Sequence, residues 1–196
     1  SDSDYESTSG SVIFAIGETS KSINIAIAND GVYEDQESFT VSISLASNSL
    51  GNTSFGNIIS GTGSVNINDD DPAPVFGISG ASVNEDAGTA TLTITRENSS
   101  QMDVSVDYLA SDDSAVAGQD YDAASGTVTF APNETEKTIS IAIIDDALDE
   151  NEESFLVTLS NASHGNIQEN TAIVTITDND DAPSVSISGN NNVSED

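Results

Sequence analysis

Residues 143–155 read IIDDALDENEESF, two apolar positions followed by six carboxylates within nine residues. A copy, IANDGVYEDQESF, occupies residues 27–39, 116 positions upstream, and neither stretch contains Lys or Arg. Carboxylates at this density can hold hard cations. Ca²⁺ suits them best, because it takes 6–8 oxygen ligands in a flexible geometry, whereas Mg²⁺ demands a smaller octahedron and keeps its waters. Zinc and copper sites call for His or Cys, and the chain has one His and no Cys. Glu150 and Glu153 stand three apart just before an apolar run, a spacing that can curl both toward one ion. The EF-hand loop pattern is absent, so the other ligands must come from turns distant in sequence. Each acidic stretch reads as half of a cage for calcium.

The overall charge agrees. There are 196 residues with 3 Lys+Arg and 34 Asp+Glu, a formal net charge of -31. Nucleic-acid binding draws on protein cations to release counterions, so this balance excludes nucleic acid and an anionic membrane as partners. Solubility in a salty medium is the bland reading of the same charge. Apolar residues make up 36% and alternate with polar ones, which acidic disordered tails do not show. Without Cys, bound metal can take the stapling role of a disulfide. No apolar run reaches the roughly 18 residues of a membrane span, so no direct membrane insertion is expected. Residue 1 is Ser and no leader is visible, which reads as a segment of a longer protein.

The chain repeats itself. Asp4-Tyr5 matches Asp120-Tyr121, GSVIF at 10–14 matches GTVTF at 126–130, and Lys21-Ser22-Ile23 matches Lys137-Thr138-Ile139. The offset drops from 116 to 109 by Val65 against Val174, which places a seven-residue insertion around 46–63. VNED at 83–86 returns as VSED at 193–196. The expected organisation is a partial domain at 1–71 lacking its first strands and a linker at 72–74. A complete domain follows at 75–181, then a linker and the first strand of a third repeat at 182–196. Pro72, Pro74 and Pro183 mark the joints, since proline cannot continue a central strand.

Period-two alternation in the complete copy predicts seven strands. They fall at 75–79 (with Val83 beyond a kink), 89–95, 103–109, 126–130, 138–144, 154–160 and 172–177. One face is apolar, with Leu92, Val106, Tyr108, Val128, Ile141, Val157 and Val174 among its members, and the other is mostly Thr and Ser. The fold class is all-β, an immunoglobulin-like seven-stranded antiparallel sandwich in tandem repeat. If successive strands alternate in direction, fifteen carboxylates from three loops and the last strand's end gather at one tip without a single cation. Arg96 and Lys137 fall at the other. Two unit charges 4 Å apart repel by about 4 kcal/mol at an effective dielectric near 20, so such a tip calls for bound cations. Asp112 and Asp113 read as solvated.

The runs AGQDY, SGTVTFAPNETEKTISIAIIDD, ENEESFLVTLSN and AIVTITDND resemble the Calx-β repeat, a family that includes calcium-sensing domains of sodium/calcium exchangers and tandem arrays of secreted proteins. The resemblance spans essentially the whole chain and implies a seven-stranded sandwich with several calcium ions at one tip. It places ligands at Glu85, Asp120, Asp146, Glu150, Glu153, Asp178 and Asp180, and in the first copy at Asp4, Asp30, Glu34, Glu37, Asp69, Asp70 and Asp71. Two departures stand out. Asn179 replaces a third consecutive Asp, which weakens or removes one ion. Asn29 stands where the second copy has Asp145, and the first copy lacks its first loop. The motif TDNDDAP is also similar to cadherin junctions, but cadherins lack the block from DY through the Lys-containing strand.

The first functional reading is a calcium-binding module of a secreted or cell-surface protein, bacterial in type. Calcium would stiffen its inter-domain joints for a structural or adhesive role. Its partners would be calcium, neighbouring repeats of the same chain, and a surface protein or glycan. The alternative is a regulatory calcium sensor of an exchanger-like membrane protein, and a further one is a subunit of a strand-exchanged filament. No enzyme is expected. Paired carboxylates can hydrolyse glycosides, but these acids crown a convex end, and His164 lies on the opposite tip with no nucleophile beside it.

Overall fold

In the computed structural model, residues 4–45 and 58–189 are described, and the chain divides into two units, Ser1–Pro72 and Ala73–Asp196. The first unit contains β1 (Val32–Tyr33), β2 (Glu37–Ser42) and β3 (Thr62–Ile67). The second contains β4 (Val75–Ile78), β5 (Ala81–Asn84), β6 (Thr89–Glu97), β7 (Ser99–Ser100), β8 (Val104–Asp112), β9 (Ser125–Phe130), β10 (Glu136–Ala142), β11 (Glu153–Ser160), β12 (Asn166–Glu169) and β13 (Thr171–Thr177).

The second unit is a sandwich of two sheets, ordered β10-β6-β4-β12 and β5-β13-β11-β8-β9. Alternation decides which side chains face inward. In β6, Ala90, Leu92 and Ile94 are buried between outward threonines, and Phe155, Val157 and Leu159 do the same in β11. Phe76 and Phe130 meet at 5.6 Å with tilted rings. Burying one such side chain fully contributes about 1.5–3 kcal/mol. Tyr108 and Val128, expected in the core, are only half-buried, because β8 and β9 lie toward the edge of their sheet.

Three features differ from the expected antiparallel scheme. The first strand is split, with β4 in one sheet and β5 in the other, and the last strand is split in the same way into β12 and β13. The two run side by side, so β4 pairs with β12 and β5 with β13 in parallel, while the other ladders of the sandwich are antiparallel. The crossing is tight at Gly80, where a Cβ would stand 2.5 Å from the Ile173 carbonyl oxygen. Finally, β8 runs on to Asp112, three residues beyond its last expected position.

Among the described residues of the first unit, only β2 and β3 form an extended ladder, Glu37↔Ile67 through Ser42↔Thr62. The matched stretches 10–14 and 21–25 carry no ladder, and Ile13 and Phe14 are exposed. Their counterparts β9 and β10 pair with β8 and β6 in the second unit. The expected seven-residue insertion falls partly on 46–57, outside the described residues. Of the expected third-repeat strand, 184–189 is described and carries no ladder, and 190–196 lies outside the described residues.

Candidate metal centre

Ladder register brings the acids of the second unit together. In the parallel β5–β13 pair, Thr177 stands opposite Asn84, so the next residues, Asp178 and Glu85, leave the sheet side by side. Glu85 opens a single 3-10 turn, Glu85–Ala87, and is only 6% exposed. Its Oε1 accepts the Asp146 N–H at 2.9 Å, tying the turn after β5 to the acidic loop before β11. Glu85, Asp178 and Asp180 offer carboxylate oxygens that all lie within 4.8 Å of one another.

Asp120, Glu150 and Glu153 form a second such group within the same limit. Glu153 is the first residue of β11 and pairs with Ile176, two residues before Asp178. Asp120 arrives from the long loop between β8 and β9. An antiparallel bridge of Tyr121 with Ile143, and the Ile144 N–H donated to the Asp120 carbonyl at 3.0 Å, hold that loop against the acidic stretch. Glu85, Asp120, Glu150, Glu153 and Asp178 line one small cleft with Asn151 and Ile176.

The electrostatics are those of a site short of positive charge. The Asp146 N–H draws the Glu85 carboxyl down, but burial and the charges of Asp146, Asp145 and Asp178 outweigh it and the net displacement is upward. Loss of hydration, then the Asp120, Asp146 and Asp178 charges, pushes Glu150 up. Glu153 is raised by burial and by Asp120, and Asp180 by burial and by Asp178. Asp178 Oδ1 and Asp180 Oδ2 are shielded from solvent with no hydrogen-bond partner. A buried anionic oxygen left unpaired is costly, and a cation is the partner that fits an all-carboxylate set.

Of the seven residues singled out in this copy, six form these two groups. Asp146 joins neither. Its backbone links to Glu85 and its Oδ1 accepts the Leu148 N–H at 2.7 Å, while its charge acts on Glu85, Glu150 and Asp180. The basic residues stay away, as Lys137 pairs with Glu134 at 2.8 Å in the turn between β9 and β10.

The first unit repeats the arrangement with fewer supports. Asp4, Asp30, Glu34, Glu37, Asp69, Asp70 and Asp71 all line one cleft, with Asn29 and Asp35 beside them. Glu34 Oε1 is shielded and has no hydrogen-bond partner. Burial, then Asp4, Asp30, Glu37 and Asp69, raises Glu34; a hydrogen bond with Asp4 raises Glu37; burial and the Asp69 and Asp70 charges raise Asp71. The bridge of Tyr5 with Ile27 repeats that of Tyr121 with Ile143. Tyr5 stacks on Phe39 at 4.1 Å, as Tyr121 stacks on Phe155 at 4.0 Å.

Sequence reasoning missed the role of Asp112. It is not simply solvated, because its Oδ1 accepts the Tyr121 hydroxyl at 2.6 Å and the Ala117 N–H at 2.9 Å. The available signal was Tyr121 itself, an aromatic residue repeated beside a ligand candidate in both copies.

Comparison with known proteins agrees with the architecture. The Calx-beta domain profile matches residues 1–71 and 68–180. Sodium/calcium exchanger 1 of Bos taurus is 31% identical over 170 residues, covering 79% of this chain and 18% of the exchanger. The extracellular matrix organizing protein FRAS1 of Mus musculus is 32% identical over 173 residues, covering 82% of this chain and 4% of that protein. The chain thus spans less than a fifth of the length of either relative. Among solved structures, the apo-form Calx CBD1 domain superposes with a TM-score of 0.53 at 27% identity, over 55% of this chain and 99% of that one. The calcium binding domain CBD12 of CALX1.1 superposes with a TM-score of 0.50 at 30% identity, over 55% of this chain and 44% of that one. With a profile that accounts for nearly all the sequence and a sandwich matched by these structures, the chain belongs to the Calx-beta domain family.

Proposed function

We propose that this chain is a calcium-binding regulatory segment, made of one complete module at 75–181 preceded by a partial one at 1–71 and followed by the start of a third. Glu85, Asp178 and Asp180 hold one ion of the complete module. Asp120, Glu150 and Glu153 hold another, with Asp146 contributing charge alongside. Asp4, Asp30, Glu34, Glu37, Asp69, Asp70 and Asp71 serve the first module. The carrying observation is the pair of shielded carboxylate oxygens on Asp178 and Asp180 that no donor satisfies.

Similarity to sodium/calcium exchanger 1 over most of the chain favours calcium sensing within a membrane protein over the secreted, adhesive role that the sequence suggested first. The FRAS1 match supports a second reading, in which the same ions stiffen an extracellular module. Calorimetric titration of the chelator-treated chain with calcium separates them. Sensors bind at about 10⁻⁷–10⁻⁵ M and extracellular modules at about 10⁻⁴–10⁻³ M. The regulatory reading expects the first range, the second range supports the extracellular module, and no heat of binding ends both.

A further inference from the structure

Asp112 is an acid of the calcium tip whose hydrogen bonds the cage reading does not use. It ends β8 and spends one oxygen, Oδ1, on two donors, the Tyr121 hydroxyl and the Ala117 N–H. Tyr121 is 1% exposed and lies flat on Phe155, with ring planes 8° apart, so its phenol has little freedom to turn elsewhere. The next bond in the loop belongs to Asp120, whose Oδ2 accepts the Val116 N–H at 2.7 Å. The turn between them closes at Gly118, where φ is +87° and the N–H is donated to the Tyr121 carbonyl at 2.8 Å. Asp112 therefore grips both ends of a loop that carries Asp120 into the group with Glu150 and Glu153.

The charges separate the two kinds of acid. Burial and then like charge push Glu150, Glu153 and Asp180 up, whereas the Tyr121 hydroxyl and then the Ala117 N–H hold Asp112 below the usual carboxylate range. The Tyr121 hydroxyl is the donor of the pair, since an ionised carboxylate can only accept.

We infer that Asp112 and Tyr121 form a positioning latch that presents the carboxylate of Asp120 to calcium, and that Asp112 does not itself bind the ion. The inference rests on the cage reading above. It is tested in the whole chain by calcium calorimetry at a temperature where every variant is folded, with melting curves of the metal-free proteins alongside. Tyr121→Phe keeps the ring stack and loses the hydroxyl. Asp112→Ala loses the acceptor. Asp112→Asn keeps Oδ1, the single oxygen that both bonds use, and loses the charge. Hydrogen bonds to charged groups are the stronger ones, so losing the latch is expected to weaken calcium binding about tenfold in Tyr121→Phe and Asp112→Ala, while Asp112→Asn stays within about threefold of wild type. An Asp112→Asn loss as large as that of Asp112→Ala would make Asp112 a ligand and overturn the latch. Wild-type affinity in both Tyr121→Phe and Asp112→Ala, with only a lower melting temperature, would make the pair a fold-stabilising contact and overturn it equally. A wild-type chain that takes up no calcium removes the cage reading itself, an outcome that no variant comparison can mimic.

Discussion

Glu153 concentrates the conflict between stability and binding. The β11 ladder fixes its backbone, and its side chain faces Asp120 and Glu150 with no cation near. Replacing it with Gln keeps the volume and removes one charge. Calcium affinity should fall about tenfold or more, since ligand charge count sets affinity in such sites. The metal-free protein should melt higher, because a repulsion is relieved. Paired calorimetry and melting curves check this, and an unchanged affinity with a lower melting temperature would contradict it. At this scale the sequence was informative about types. Acidic stretches without Lys or Arg pointed to a ligand chemistry, the repeat matched Asp120-Tyr121 with Asp4-Tyr5, and the Calx-β resemblance placed a ligand at Asp120. What was not legible was the hydrogen bonding of Asp112, because its donors, the Tyr121 hydroxyl and the Ala117 N–H, reach it only in three dimensions.

Among the elements, strands with clean alternation were readable. The run TATLTITRE became β6 and the run ESFLVTLS became β11, with the expected residues inside. Period two reports which face a residue occupies and nothing about the direction of its partner, so the parallel pairing of β5 with β13 was not legible. Short polar β12, with Ile167 as its one aliphatic residue, was hidden for a similar reason. That parallel pairing matters, because it sets Glu85 beside Asp178. Gly80 is its pivot. A methyl group there would meet backbone, the Ile173 carbonyl oxygen, rather than a yielding side chain. Gly80→Ala should therefore destabilise the second unit by about 1–3 kcal/mol, read as a lower denaturant midpoint. A midpoint equal to wild type would show that the crossing is looser than described.

For the molecule as a whole, the displaced acids make stability depend on pH and metal together. Glu34, Glu37, Asp71, Glu85, Glu150, Glu153 and Asp180 are raised from ordinary values of 4.5 for Glu and 3.8 for Asp. A carboxyl raised in the folded state stabilises the fold when protonated. That contribution is complete below the ordinary value and is lost as pH rises through the raised one. The metal-free protein should therefore melt higher as pH falls from neutrality toward the ordinary carboxylate range. Below that range it should melt lower again, as Asp107, Asp112 and Glu134, which donors hold down, become protonated. Saturating calcium should raise the neutral-pH melting temperature and flatten the rise on acidification, because protons and calcium compete for the same oxygens. Melting curves by circular dichroism across pH, with calcium and with chelator, report both trends, and a metal-free protein most stable at neutral pH would contradict them.

Anomalous diffraction from crystals grown with calcium examines the cage itself. Calcium lies about 2.3–2.6 Å from its oxygen ligands. The expected result is a peak at that distance from Glu85, Asp178 and Asp180, and another from Asp120, Glu150 and Glu153. Crystals soaked in millimolar calcium that show no peak at either group, or peaks only at the opposite tip, would contradict calcium binding at this end of the sandwich.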